Sequence, residues 1–206
     1  MFPFDVILFD VGGVLLTNGW DHCERARVLE RFGLDPAAFE SRHLEPDRAW
    51  ESGTITAEAY LDATVFHEPR GFSHQEFLAA ICAQSRLLPD GALEILKELS
   101  ASGKCLVGAL NNEARETNAY RFEHFGLRPL FKVALSSCYL GLRKPEPTIY
   151  RRALEILGRP PERVLFIDDR VENTVAAQEA GMKTIHFSGA SALRQELGNL
   201  GVLQGC

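Results

Sequence analysis

Short apolar runs, each ending in acidic, amide or hydroxyl residues, restrict the fold of this chain more than any other feature. Residues 6–9 read Val-Ile-Leu-Phe and end at Asp10. Residues 104–110 end at Asn111-Asn112, residues 131–135 at Ser136-Ser137, and residues 164–167 at Asp168-Asp169. Residues 184–187 make a fifth run. Apolar residues at helical spacing fill 91–101, 113–124, 147–157 and 171–180. Runs this short and apolar fit strands buried on both faces. Strands alternating with helices imply a parallel sheet with helices on both sides. The expected class is α/β, a doubly wound parallel sheet.

Residues 20–85 break that rhythm and read as helices only, over 21–32, 36–50, 56–66 and 73–84. Asp35 precedes Pro36 as an N-cap precedes a first-turn proline. Ser73-x-x-Glu76 is a capping box, and Thr56-x-Glu58 falls one residue short of one. The expected division is a core of residues 1–18 and 88–206, with a small helical domain, 19–87, inserted after the first strand. Leu88-Pro89-Asp90-Gly91 reads as the return linker, and 189–206 as a short helix with a loose end.

The 206 residues suffice for one domain or for one core carrying an insertion. With 22 basic and 28 acidic side chains the net charge is −6, so nothing draws the chain globally to nucleic acid or anionic membrane. No apolar stretch approaches the roughly 20 residues of a membrane span. Met1 to Asp10 lacks a secretory n-region. Cys23, Cys82, Cys105, Cys138 and Cys206 are scattered without a C-x-x-C pair, which argues against a disulfide framework or structural zinc. A cytoplasmic location is expected.

In an open parallel sheet, ligands bind beyond the carboxyl ends of the strands. There this sequence places Asp10 with Gly12-Gly13, then Asn111-Asn112, then Asp168-Asp169, with Lys144 in the loop after the third run. Taken singly, each is an ordinary turn or cap residue. Together, three carboxylates at one sheet edge repel one another unless a cation is present. Hard oxygen ligands fit Mg²⁺, and a lysine with amide donors beside it fits a phosphoryl group. The implied chemistry is attack of a carboxylate on phosphorus, with metal and lysine neutralising charge.

Four segments resemble the motifs of the haloacid dehalogenase superfamily in order and spacing. They are Phe9-Asp10-Val11-Gly12-Gly13-Val14-Leu15, Leu110-Asn111-Asn112, Arg143-Lys144-Pro145-Glu146-Pro147 and Phe166-Ile167-Asp168-Asp169. The inserted helices resemble that family's cap over a Rossmann-like core. The subgroup most resembled is the small phosphatases related to the N-terminal domain of soluble epoxide hydrolase. The resemblance implies a Mg²⁺-dependent hydrolase of a small phosphorylated metabolite, with Asp10 as nucleophile and Lys144 beside it. It further implies metal held by Asp10, the Gly12 carbonyl and Asp169, with Asp168 acting through water. Asn111, Asn112 and Lys144 would hold phosphate, and Asn173 would support the metal ligands.

Two positions depart from the pattern. Gly12 stands where most family phosphatases carry a second aspartate, the general acid and base. Loss of such a group costs about 10²–10⁴ in rate. Phosphoryl transfer leans on positioning and charge stabilisation, so acyl phosphates and sugar 1-phosphates, with better leaving groups, are the expected substrates. Asn111 stands where Ser or Thr is usual, which implies weaker phosphate binding. Asp21, His22, His43 and Glu45 are cap residues with titratable groups, none assigned a proton-transfer role. Trp20, Phe39, Trp50, Tyr60 and Phe66 are the cap's aromatic resources. The alternative function is a catalytically weak or inactive relative that binds a phosphorylated ligand or a partner protein. Carbon-centred dehalogenation is disfavoured by Asp168-Asp169.

Overall fold

The computed structural model describes residues 2–203. Five strands, β1 (Val6–Phe9), β2 (Leu106–Asn111), β3 (Val133–Ser136), β4 (Val164–Asp168) and β5 (Lys183–His186), form one sheet. Its order is β3-β2-β1-β4-β5 and every pairing is parallel. Val6 lies in register with Leu106 on one side and Val164 on the other. All four residues of β1 are buried, as a central strand requires.

Strand alternation divides the core. Ile7, Phe9, Val107, Ala109, Leu165 and Ile167 pack on one face, and Val6, Leu8, Leu110, Val164 and Phe166 on the other. Helices α5 (Leu93–Ser102) and α10 (Ala190–Asn199) cover the first face through Ile95, Leu96, Leu99, Leu193 and Leu197. Helices α8 (Pro147–Leu157) and α9 (Val171–Glu179) cover the second through Ile149, Tyr150, Ala153 and Ala177. Helix α6 (Arg115–His124) follows β2 and sends Phe122 into the first face. The short α7 (Ser137–Leu140), closed by Gly141 at φ +70°, was not legible in the sequence pattern.

The insertion comprises α1 (His22–Arg31), α2 (Pro36–Glu51), α3 (Ala57–Thr64) and α4 (His74–Cys82). Asp21, Asp35 and Thr56 cap the first three through side-chain oxygens, and Ser73 with Glu76 forms a complete capping box on the fourth. These helices bury a cluster of their own, centred on Trp50, Tyr60, Leu61 and Phe77. Its one core member is Ala114 at the start of α6. Polar ties also join the two parts: Trp50 Nε1 donates to Glu116 Oε2 at 2.9 Å, and Ser137 Oγ donates to the Glu51 carbonyl at 2.6 Å. Beyond the expected tail helix, residues 204–206, including Cys206 and the expected loose end, lie outside the described residues. Among the described residues no helix is long and apolar enough to cross a membrane.

Candidate active site

The strand order reverses at β1, where β2 and β4 diverge to opposite sides, and the polar residues gather at that edge. Asp10 directly follows β1, and its backbone N–H donates to the Ile167 carbonyl at 2.8 Å, which continues the ladder. Its Oδ1 accepts from the Val11 N–H at 2.7 Å, and its Oδ2 lies 2.9 Å from Lys144 Nζ. Lys144 Nζ also donates to Asp168 Oδ2 at 2.6 Å, so one buried ammonium joins the ends of β1 and β4. Asp168 is fully buried, and its Oδ1 accepts from the Arg170 N–H at 2.8 Å and from Asn173 Nδ2 at 2.9 Å. Asn173 reaches it from the first turn of α9.

Asn112 braces the lysine. Its Nδ2 donates to the Lys144 carbonyl and its Oδ1 accepts from the Lys144 N–H, both at 2.9 Å. Asn111, expected to contact phosphate, has its side-chain amide engaged within the protein. As the last residue of β2 it turns inward: Nδ2 donates to Asn118 Oδ1 at 3.0 Å, and Oδ1 accepts from Ser136 Oγ at 2.8 Å. Both ends of its amide tie β2 to β3 and α6, a role the strand register decides and the motif spacing does not reveal.

Oxygens of Asp10, Asp168 and Asp169 lie within 4.8 Å of one another. Asp169 Oδ1 is buried with no hydrogen-bond partner. A Cβ at Gly13, whose φ is +72°, would collide with the Asp169 carboxylate. Backbone and carboxylate are therefore as close as glycine alone permits, and the orphaned oxygen, grouped with those of Asp10 and Asp168, is a ligand suited to a hard cation. Charge agrees: three carboxylates against one ammonium leave −2, which Mg²⁺ would cancel. Without the cation, burial pushes the Asp10 carboxyl up to about 8 against the pull of Lys144, with Asp168 and Asp169 adding to the rise. Burial and Asp168 likewise raise Asp169. Burial opposes the charge on Lys144, but Asp10 and Asp168 outweigh it and hold the ammonium above its ordinary range.

The space beside Gly12 is occupied. A Cβ there would lie 2.9 Å from Asn18 Oδ1 and 3.6 Å from Arg121 Nη1. Arg121 is buried, pairs with Glu113, donates to the Thr17 carbonyl, and donates through Nε to Ser85 Oγ at 3.0 Å. It thus ties both chain crossings into the insertion, at Thr17 and Ser85, to α6.

A cavity of about 570 Å³ extends from Asp10, Gly12 and Lys144 to the inserted helices. On that side Trp20 Nε1 donates to Tyr60 Oη at 2.7 Å, and Tyr60 Oη lies 2.9 Å from His43 Nδ1. Indole is only a donor, so Tyr60 Oη accepts from Trp20 and shares its second hydrogen bond with His43 Nδ1. Nε2 stands 3.7 Å from Asp47 Oδ2. Burial, with Arg25 nearby, lowers His43 to about 4 and keeps it neutral. Burial lifts Asp47 to about 8; Glu51 adds to the rise, Arg143 and Arg25 oppose it, and Glu113 adds again. Arg25 forks onto Glu40 at 2.7 and 3.1 Å, and Arg143 pairs with Glu51.

Of the cap residues with titratable groups, His43 belongs to this relay. Asp21 borders the cavity with Oδ1 accepting from the His22 N–H at 2.7 Å. His22 is largely exposed, 3.8 Å from Glu40, and Glu45 is exposed beside Arg48. Sequence reasoning missed Asp47, Glu51, Glu113 and Arg121. Only Arg143, adjacent to Lys144, stood within a recognised motif.

A family model described as haloacid dehalogenase-like hydrolase matches residues 4–181. A flavin mononucleotide hydrolase of Arabidopsis thaliana is 41% identical, over 96% of this chain and 78% of its own length. The sesquiterpene phosphatase astK of Aspergillus oryzae is 28% identical over 96% of both chains. The bifunctional epoxide hydrolase 2 of Rattus norvegicus is 42% identical over 92% of this chain, which spans 38% of that protein. Among solved structures, the wild-type HAD family enzyme bt-2542 of Bacteroides thetaiotaomicron, in complex with magnesium and inorganic phosphate, is 25% identical at a TM-score of 0.69, covering 90% of this chain and 95% of that one.

Proposed function

The chain belongs to the haloacid dehalogenase-like hydrolases, and from that premise we propose that it is a Mg²⁺-dependent phosphatase of a small phosphorylated metabolite. The observation that carries this reading is Lys144 Nζ bridging Asp10 Oδ2 and Asp168 Oδ2 beside the unpartnered Asp169 Oδ1. The naming of similar proteins as phosphatases or as a flavin mononucleotide hydrolase supports it.

Asp10, Asp169 and the Gly12 carbonyl would hold the metal, with Asp168 acting through water because its own oxygens already serve Lys144, Arg170 and Asn173. When bound, Mg²⁺ neutralises charge on the transferring phosphoryl group. An Asp10 carboxylate oxygen attacks phosphorus, the bond to the leaving oxygen breaks, and an aspartyl-phosphate forms. Lys144 offsets the charge on the phosphoryl oxygens and holds Asp10 in line. Asn112 positions Lys144 through its backbone. Water then hydrolyses the acyl phosphate, regenerating Asp10 and releasing inorganic phosphate. Gly12 offers no proton, so the leaving oxygen takes one from solvent, which favours acyl and anomeric phosphates. Inside the reducing, magnesium-rich cytoplasm the free cysteines and the metal requirement are both accommodated.

The test is phosphate release from acetyl phosphate, sugar 1-phosphates and alkyl phosphates, with and without Mg²⁺. Metal-dependent release that disappears in Asp10→Asn is expected. Absence of release from every substrate would overturn the reading.

A further inference from the structure

The cavity's two ends are built differently. Its inner end holds the ammonium and carboxylates that would handle a phosphate. Its outer end, toward the inserted helices, has hardly any apolar wall: Trp20, Leu44 and Pro145 are the only apolar side chains lining the cavity among the described residues. Most ligand pockets bind by apolar lining with a few placed polar groups. Here the proportion is reversed.

The charges at the outer end are largely spent on one another, Arg25 on Glu40 and Arg143 on Glu51. Asp47 has no such guanidinium partner. It is partly buried, it borders the cavity, and no side-chain hydrogen bond to it is found among the described residues; His43 Nε2 stands 3.7 Å from its Oδ2. The Trp20–Tyr60–His43 chain behind it is hydrogen-bonded throughout, so the ring facing Asp47 is held in place. This is a supported carboxyl group whose remaining hydrogen bonds point to whatever occupies the cavity.

Resting on the phosphatase reading, we infer that the leaving group is hydroxyl-bearing, of sugar or polyol type, and that Asp47 is the residue that selects it. An isoprenoid chain would strip water from Asp47 and its charged neighbours and return no hydrogen bond, which is costly. A cationic leaving group would meet Arg25 and Arg143. Hydroxyls both donate and accept, and so suit a carboxyl group set between paired guanidinium groups.

The experiment compares glucose 1-phosphate, farnesyl phosphate and acetyl phosphate on the full chain with Mg²⁺, using wild type, Asp47→Leu and Asp47→Asn. Glucose 1-phosphate is expected to exceed farnesyl phosphate in kcat/KM. Asp47→Leu should lower kcat/KM for the sugar phosphate by about tenfold or more, mainly through KM, and leave acetyl phosphate within about twofold. Asp47→Asn, which keeps a donor and an acceptor, should retain most of the preference. Farnesyl phosphate equal to or better than the sugar phosphate would overturn the inference, as would an unchanged ratio of sugar to acetyl phosphate in Asp47→Leu. Release of phosphate from none of the three by wild type would instead sink the phosphatase reading. Calorimetric binding of glucose 1-phosphate to Asp10→Asn, with and without Asp47→Leu, then decides the inference separately: weaker binding in the double variant supports it, and equal binding overturns it.

Discussion

The floor and the roof of the cavity put carboxylates to opposite uses. On the floor, Asp10, Asp168 and Asp169 crowd together around Lys144, supplied by the ends of neighbouring strands. On the roof, Asp47 stands at the end of an aromatic relay, with its charged neighbours already paired. Parallel strands in fixed register leave little freedom in where the next residue goes. Reactive groups at strand ends are therefore placed by the backbone itself. The roof depends on how helices α1 to α3 pack, so its chemistry can change without disturbing the floor. On the proposed reading, the difference puts the reaction in the sheet and the selectivity in the insertion.

The floor should be far less tolerant than the roof. Asp10→Asn is expected to reduce Mg²⁺-dependent turnover by at least about 10³-fold, since the nucleophile is lost; a residual rate near wild type would show that the chemistry lies elsewhere. Lys144→Met leaves Asp10 and Asp168 buried without their ammonium. Breaking a buried pair costs about 3–5 kcal/mol, and a urea melt in metal-free buffer should reveal it. Added Mg²⁺ should return part of that stability by relieving the same repulsion, as binding to the folded state does. Failure of Mg²⁺ to raise the midpoint would place the cation elsewhere.

The legibility of the two regions follows the same division. Strand runs and the residues that end them were readable because a central parallel strand has to be apolar and its exit does not. That placed Asp10, Lys144, Asp168 and Asp169 at one edge, and the family resemblance added Asn173. Asn111 was readable as a strand-end residue, yet whether its amide faces ligand or neighbour depends on pairing with Ser136, which spacing does not encode. Asp47 carried no local signal, being one acidic residue in α2 among several. Its role comes from Tyr60 on another helix and Arg143 in the core. Arg121 resembled any helix arginine until Glu113, Thr17 and Ser85 converged on it.

Asp47→Asn sharpens the comparison by separating stability from selectivity. The folded-state value of about 8 stands above the ordinary 3.8, so between those limits the folded protein binds more protons at this site than the unfolded chain. Stability from this group is complete below about pH 4 and drains away as pH rises toward 8. Asparagine bears no such cost. The variant should match wild type near pH 4 and exceed it by on the order of 2–4 kcal/mol at pH 7. His43 works the other way: its folded value of about 4 lies below 6.5, so its contribution is lost as pH falls through that interval. In Asp47→Asn, acidification from pH 6.5 to 4 should therefore destabilise more steeply than in wild type. A stability difference independent of pH would mean that Asp47 is ionised in the folded protein.

The smallest effect expected is from Gly12→Asp, which puts a carboxylate where the second aspartate of most related phosphatases would be. Steric room is not the obstacle: the nearest atom to a new Cβ is Asn18 Oδ1 at 2.9 Å, the end of an exposed side chain that can swing aside. Charge is. Arg121 Nη1 lies 3.6 Å from that Cβ, held there by Glu113 and Ser85. An opposite charge this close favours the ionised carboxylate, which has no proton to give a leaving group. The gain in kcat for an alkyl phosphate should thus stay below about tenfold, short of the 10²–10⁴ that a working general acid supplies. If Gly12→Asp instead gives the full gain, with a falling limb in its pH profile near neutrality, the neighbouring guanidinium does not control that position. In that event glycine at 12 is a simple loss. If the gain stays small, Arg121 and Gly12 belong together, and this site is built for leaving groups that depart unaided.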